Sequence, residues 1–294
     1  MKITKQRFLL WNDAYVLREG AAEMIVVAGI GPRILSLRVT GGENLLFVDR
    51  TAKVARGAWK IYGGHRVWLG PEAESTYAAD NAPCAVSVRR GEIMIEAPAD
   101  PRTKLQKALA ISGRAGRFHV RSIVRNTGSM LVSGGVWALT CIRPDAKVFF
   151  PWGRPGAWQV KKICYWQTWG GAHATNIASR QWQPGNDLFV IDPTGEEGKV
   201  GTAGHEGWIG ATFPAARATF IKQFAYRADG VYADDGCAIE CYTCAKFIEL
   251  ETLGPQQTLH PGESICHAET WTVRAALANP RAPGRVRQML AAAG

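Results

Sequence analysis

Residues 63–72 read GGHRVWLGPE, which sets a histidine, an arginine, a tryptophan and a carboxylate between glycines and a proline. A helix interior would not carry those glycines and that proline. A surface loop has no use for Val67 and Leu69 threaded between the polar residues. The stretch is therefore predicted to be a short strand, His65–Leu69. Alternation puts His65, Val67 and Leu69 on one face and Arg66 and Trp68 on the other. The first face is apolar and core-directed. The second joins a planar fork of N–H donors to a stacking surface, a pairing suited to a hydroxyl-rich or anionic ligand. Glu72 follows the Gly70-Pro71 turn, and alternation assigns it no face. His65 stands at the strand's start, and two readings stay open for it: a hydrogen-bonded core histidine or a site residue.

Outward from this strand, similar segments recur with turn signals between them. Upstream lie Met24–Ala28 and Arg33–Val39. Downstream come Ala85–Val88, Ile93–Ala97, Lys107–Ser112, Phe118–Arg125, Gly135–Ile142, Ala218–Phe224, Cys237–Tyr242, Phe247–Leu253 and Ile265–Val273. Connectors such as Arg90-Gly91 and Thr127-Gly128 suit hairpins. Only the end of the chain, around residues 285–293, has a helical pattern. Many closely spaced strands with almost no helix predict an all-β sandwich of antiparallel sheets rather than an α/β fold. The expected organisation is one β domain over residues 1–275, followed by a basic, partly helical tail over residues 276–294.

The chain has 294 residues, 47% of them hydrophobic, enough to bury a large core. Neither a membrane-spanning apolar run nor a signal peptide is apparent, so the expected location is the cytoplasm. The seven cysteines lie mostly in apolar segments and read as reduced thiols. CAIECYTC (237–244) has a Cys-x3-Cys-x2-Cys spacing that can hold an iron–sulfur cluster, but the same residues fit a strand that would point Cys241 and Cys244 to opposite faces. The formal charge of +10 fits either an anionic partner, such as a uronic acid or sugar phosphate, or a solubility feature. Part of the excess lies in Arg274, Arg281, Arg285 and Arg287 of the tail. No zinc-finger spacing, RNA-recognition signature or long basic helix accompanies it, so nucleic acid is not expected as a partner. GEEGKVGT (195–202) has too short a glycine spacing for a phosphate loop and places Val200 where Ser or Thr would hold magnesium, and HEGWIG (205–210) lacks the second histidine of a zinc-protease helix. The sequence does not fix an oligomeric state.

Two further regions bear on function. Residues 150–186 carry Trp152, Trp158, Trp166, Trp169 and Trp182 among glycines, prolines and amides. Most of these indoles are expected to pack the excursion onto the sandwich, with one or two free to wall a sugar site. In FIELETLGP (247–255), alternation points Ile248 and Leu250 one way and Phe247, Glu249 and Glu251 the other. That spacing puts the two carboxylates about 6.5–7 Å apart on one face. Lys222 and Glu240 are candidate partners for them.

GPRILSL (31–37), GGHRVWLGPE, VRNTG (124–128) and ELETLGPQQTLHPGE (249–263) together resemble the aldose 1-epimerase, or galactose mutarotase, superfamily, in the same order and over nearly the whole chain. The resemblance implies a β-supersandwich whose concave sheet binds a sugar, with Glu251 matching the catalytic base. It also marks a departure. The family's catalytic histidine lies some dozen residues beyond an asparagine like Asn126, where this chain reads GGVWALTCI. The expected function is a mutarotase-type isomerase of a free sugar, without metal or organic cofactor. Glu251 is its base, and His65 the substitute acid. Arg66, Trp68, Glu72, Lys222, Glu240 and Glu249 are the expected ligand contacts, and Trp137 a stacking platform. The alternatives are a glycosidic-bond hydrolase or lyase using Glu249 and Glu251, and a carbohydrate-binding protein without turnover.

Overall fold

The computed structural model describes residues 1–153, 158, 160–168, 173–275 and 283–291. Two large sheets face each other. The first runs in the order Lys2–Phe8, Trp11–Glu19, Ala22–Val27, Arg33–Val39, Gly64–Gly70, Val132–Ile142, Ile248–Leu253, Ile239–Thr243, Gly198–Thr202 and Cys164–Tyr165, with Gln257–Leu259 pairing beside Val132–Ile142. The second runs Trp182–Pro184, Leu188–Ile191, Lys147–Pro151, Trp208–Phe213, Ala218–Phe224, Ser264–Ala275, Arg117–Asn126, Leu105–Arg114, Glu92–Glu96 and Ala85–Arg89. Neighbouring strands within both sheets are antiparallel.

Side-chain alternation builds the core between them. Arg117–Asn126 turns Phe118, Val120, Ser122, Val124 and Asn126 inward, and the intervening residues stay partly exposed. Facing residues of the first sheet, among them Val67, Ile248 and Leu250, complete one continuous apolar layer. The helix Pro283–Ala291 lays Val286 against Phe149, Leu188, Val190 and Trp208 on the far side of the second sheet.

Each segment predicted to be extended contains a strand, with ends shifted by a few residues. The predicted segments omit several strands, among them Trp11–Glu19, Lys147–Pro151, Leu188–Ile191 and Trp208–Phe213. Two more omissions are Lys2–Phe8, which is mostly exposed, and Gly198–Thr202, which is buried throughout although two of its residues are glycine. Neither shows the half-buried alternation by which strands are recognised. HEGWIG leads into the strand Trp208–Phe213 rather than a helix. Cys241 joins the inter-sheet core while Cys244 packs on the opposite side of its sheet, the divergence expected of a strand.

A polar cluster sits inside the sandwich. Lys222 is fully buried, pairs with Glu269 at 2.9 Å, and donates to the carbonyls of Ala138 and Leu250 and to Thr140 Oγ1 at 2.9–3.1 Å. His65 joins the cluster through Nδ1 to Thr140 Oγ1 (2.8 Å) and Nε2 to Ser122 Oγ (3.2 Å). Burial pushes the His65 pKa down to about 3, so its ring is neutral. These placements correct the expectation that His65 and Lys222 belong to the sugar site. Both side chains point between the sheets, and His65 takes the core role that its alternation with Val67 allowed.

Candidate active site

The opposite face of the first sheet carries the candidate site, and strand register decides which residues share it. Directly paired residues form one row across five strands, Arg66, Leu139, Glu251, Glu240 and Gly201. The next row on that face is Gly64, Cys141, Glu249, Tyr242 and Lys199. A third is Trp68, Trp137 and Leu253. The double glycine before His65 has a steric cause. Gly64 has φ +61°, and a Cβ there would lie 2.0 Å from the carbonyl oxygen of Ile34. Gly201 leaves room for Trp166, whose ring a Cβ would approach to 2.9 Å.

Glu251 lies at the centre and is fully buried. Its Oε2 accepts hydrogen bonds from Trp137 Nε1 (2.7 Å) and Lys199 Nζ (3.3 Å), whereas Oε1 has no partner among the described residues. Lys199 also stands 2.7 Å from Glu240 Oε2, with its ammonium over the rings of Trp137 and Trp166 at 4.5 and 5.1 Å. One ammonium cannot hold two carboxylates ionised in so dry a place. Burial first, and then the charge of Glu251, raise the Glu240 carboxyl well above its usual range against the opposing pull of Lys199. Glu249 is half-buried and accepts a weak hydrogen bond from Cys141 Sγ at 3.5 Å. Burial and the neighbouring Glu251 push its pKa up to about 8. Glu251 is clamped by donors, and Glu249 is held protonated at neutral pH.

Aromatic side chains close this face. Trp59, Trp68 and Tyr77 pack with ring centroids 5.3–5.9 Å apart, and Trp137 meets Trp68 edge-on at 5.2 Å. Tyr77 donates its hydroxyl to Glu72. The turn Ala233–Gly236 adds Ala233 to the aromatic cluster, and Asp234 and Asp235 within it hold left-handed φ angles of +53° and +59°, a strained pairing for residues other than glycine. The indole N–H groups of Trp59 and Trp68 and Oδ2 of Asp234 are buried without partners among the described residues.

Arg66, Trp68, Glu72, Trp137, Glu240, Glu249 and Glu251 are therefore brought together, but not on an open concave surface. Arg66 and Trp68 are only 2% and 5% exposed. The Arg66 guanidinium lies between Trp59 and Trp68 and binds Asp80 Oδ1 at 2.7 Å, a carboxylate it shares with Arg33, while its Nε and Nη1 are buried without partners among the described residues. The face of Trp137 is covered by Lys199 rather than presented for stacking. Lys199, Trp59, Tyr77 and Asp80 escaped the sequence reading, and Lys199 lies within the stretch considered only as a failed phosphate loop. In the tryptophan-rich excursion Trp182 is buried and Trp166 reaches the site, but Trp158 is 98% exposed and anchors nothing. Trp169 and Arg281 fall outside the described residues. No helix among the described residues is long and apolar enough to cross a membrane.

A scan against protein-family models gives no match, nor does a sequence search of curated proteins. Solved structures do match. A galactose mutarotase-related enzyme from Lactobacillus acidophilus superposes with TM-score 0.59 at 10% identity, covering 90% of this chain and 99% of the other. A galactose mutarotase-like protein from Lactobacillus casei gives 0.56 at 10% identity, covering 88% and 99%. A TPR-domain-containing protein from Parabacteroides distasonis gives 0.59 at 12% identity over 92% of this chain, which spans about half (48%) of that longer protein. At such identities the likeness speaks for architecture. This chain has the all-β galactose mutarotase-like fold.

Proposed function

We propose that the protein is a carbohydrate-active isomerase of the mutarotase kind, acting on a free, uncharged sugar. In this reading Glu251 takes the proton of the anomeric hydroxyl while Glu249 protonates the ring oxygen. The bond from the anomeric carbon to the ring oxygen breaks and an open-chain aldehyde forms. Rotation and reclosure return both protons and give the other anomer. One observation carries the reading: Glu251 has one oxygen clamped by Trp137 and Lys199, the other unpartnered among the described residues, and a protonated carboxyl two residues away on the same strand face. Glu249 thereby fills the place left by the histidine that the family pattern requires and this chain lacks.

The local charge favours a neutral sugar over the acidic one suggested by the net charge. Glu72, Glu240, Glu249 and Glu251 share the site with Lys199, so carboxyl groups outnumber the cations there even with Arg66, which Asp80 holds, counted in. Carboxylates and indole N–H groups are complementary to hydroxyls. Full burial of Glu251 favours a second reading, a carbohydrate-binding protein without turnover. Anomer-resolved NMR of freshly dissolved pure anomers decides between them. Exchange faster than the spontaneous rate, lost in Glu251→Gln, supports the isomerase. Saturation transfer to a sugar with no acceleration supports the binding protein.

A further inference from the structure

A cavity lies away from Glu251. It measures about 690 Å³ and sits between the connection over residues 69–82 and the bend over residues 97–107. That size suits a small organic ligand. Ala73, Ala78, Ala79, Ala97, Pro98 and Pro101 furnish much of its wall, and Lys107 and Asp80 stand on its lining. We infer that this cavity is a second ligand site, for a small monocarboxylate whose anionic head meets the Lys107 ammonium and whose apolar body rests on the alanine and proline wall.

The argument begins with an imbalance around Asp80. Its Oδ1 accepts from Arg33 (2.8 Å) and Arg66 (2.7 Å), both buried. Lys107 reaches only Oδ2, at 3.7 Å, an ion pair beyond hydrogen-bonding distance. Three cations thus surround one carboxylate. Asp100, the next acid on the lining, commits Oδ1 to the backbone N–H groups of Arg102 and Thr103 and to the Thr103 hydroxyl. Lys107 is 15% exposed, and no hydrogen bond satisfies its ammonium among the described residues. Its Nζ is not among the buried atoms left without a partner, so the ammonium stays accessible to an acceptor entering the cavity. Burial first, with the two arginines, lowers its pKa against the opposing pull of Asp80.

The same surroundings choose the class of anion. A phosphate wants several converging donors, whereas the lining holds only Lys107 and Arg102 as cations among the described residues, and Asp80, Asp100 and Glu74 would repel a second negative charge. A single carboxylate matches one ammonium. The small apolar wall then accounts for the rest of the volume.

Hexanoate, with hexanol as its neutral counterpart and inorganic phosphate as the polyanion, tests the site by calorimetry on the full chain at low ionic strength. The expected result is saturable hexanoate binding with Kd about 1 mM or tighter, and hexanol at least about tenfold weaker, the worth of one charge-assisted hydrogen bond. Lys107→Gln should bring hexanoate to the level of hexanol. Ala79→Trp, which fills the cavity and leaves every charge in place, should abolish both. Glu251→Gln should leave hexanoate binding intact, which separates this site from the proposed sugar site. Equal binding of hexanoate and hexanol, undiminished hexanoate binding in a folded Lys107→Gln, or phosphate binding more tightly than hexanoate would each overturn the inference. If Lys107→Gln does not fold, Ala79→Trp decides, and wild-type hexanoate binding in that variant overturns it.

Discussion

Trp137 donates its indole N–H to Oε2 of Glu251 at 2.7 Å from one step diagonally along the neighbouring strand. Cross-strand neighbours of this kind fix side-chain positions through the rigidity of the sheet itself. The bond aligns the carboxylate and leaves Oε1 for a substrate proton. Trp137→Phe keeps the ring beneath Lys199 and removes only the donor. Its kcat for anomer exchange should fall about tenfold, the worth of one hydrogen bond to a charged group, with KM little changed. A kcat equal to wild type would mean that the bond orients nothing.

Glu251→Gln keeps shape and hydrogen-bonding capacity but removes the base. It should cost at least about a hundredfold in kcat, the usual contribution of a positioned base. Sugar affinity, read by saturation transfer, should change much less. A variant that exchanges anomers at the wild-type rate would remove Glu251 from the mechanism.

Glu249 supplies a pH signature. Its native pKa of about 8 lies above the usual 4.5, so the folded protein holds a proton that the unfolded chain releases. The corresponding stability is fully present below pH 4.5 and is lost as pH rises through about 8. Activity that uses Glu249 as acid should instead decline as pH rises past about 8, where the folded protein loses that proton. Glu249→Gln should lose activity and also flatten the fall in melting temperature between pH 5 and pH 8. A limb near pH 8 that persists in this variant would belong to another group.

Lys199 is the sole ammonium between Glu240 and Glu251 among the described residues. Removing it in Lys199→Met strands a buried carboxylate and should destabilise the fold by about 3–5 kcal/mol. Adding Glu240→Gln should recover part of that loss in urea melts, because it removes one of the two acids Lys199 answers. Strictly additive effects would show that the contact at 2.7 Å carries no coupling.

The β architecture was legible wherever a strand is half-buried and alternates, as in Arg117–Asn126. The site face was legible for the same reason, since alternation alone puts Arg66 with Trp68 and Glu249 with Glu251. What alternation cannot supply is which strands become neighbours. Glu240 was chosen for its place near Glu251 in the chain, and pairing made them direct partners. Lys199 comes from a strand whose Gly198 and Gly201 disguise it, and only register with Tyr242 brings it to the carboxylates. Tyr77 ends the one-turn 3-10 helix Glu74–Tyr77 and Asp80 lies in the loop after it, both too short to show a period. Lys222 misled because a charged residue in an apolar strand looks like a ligand contact, but here Glu269 answers it from the same sheet.

The buried histidines give the last prediction, one that separates a core role from a catalytic one. Burial lowers the pKa of His65 to about 3 and of His267 to about 4, against a usual 6.5. Glu269 opposes that lowering at both rings, and Lys222 adds to it. Because the folded values lie below the unfolded one, the unfolded chain binds more protons at mildly acid pH. The stability contributed by neutral histidine is present above pH 6.5 and is lost as pH falls through about 4 and then 3. His65→Asn should melt earlier at pH 7, by about 1–3 kcal/mol for the hydrogen bonds left unmade to Thr140 and Ser122. Its further loss of stability on acidification should be shallower than that of the wild type. Anomer exchange per folded molecule should stay within a few-fold of wild type, since His65 points away from Glu251. A hundredfold loss in that normalised rate, the size expected for removing a general acid, would return His65 to the proton path and displace Glu249 from it.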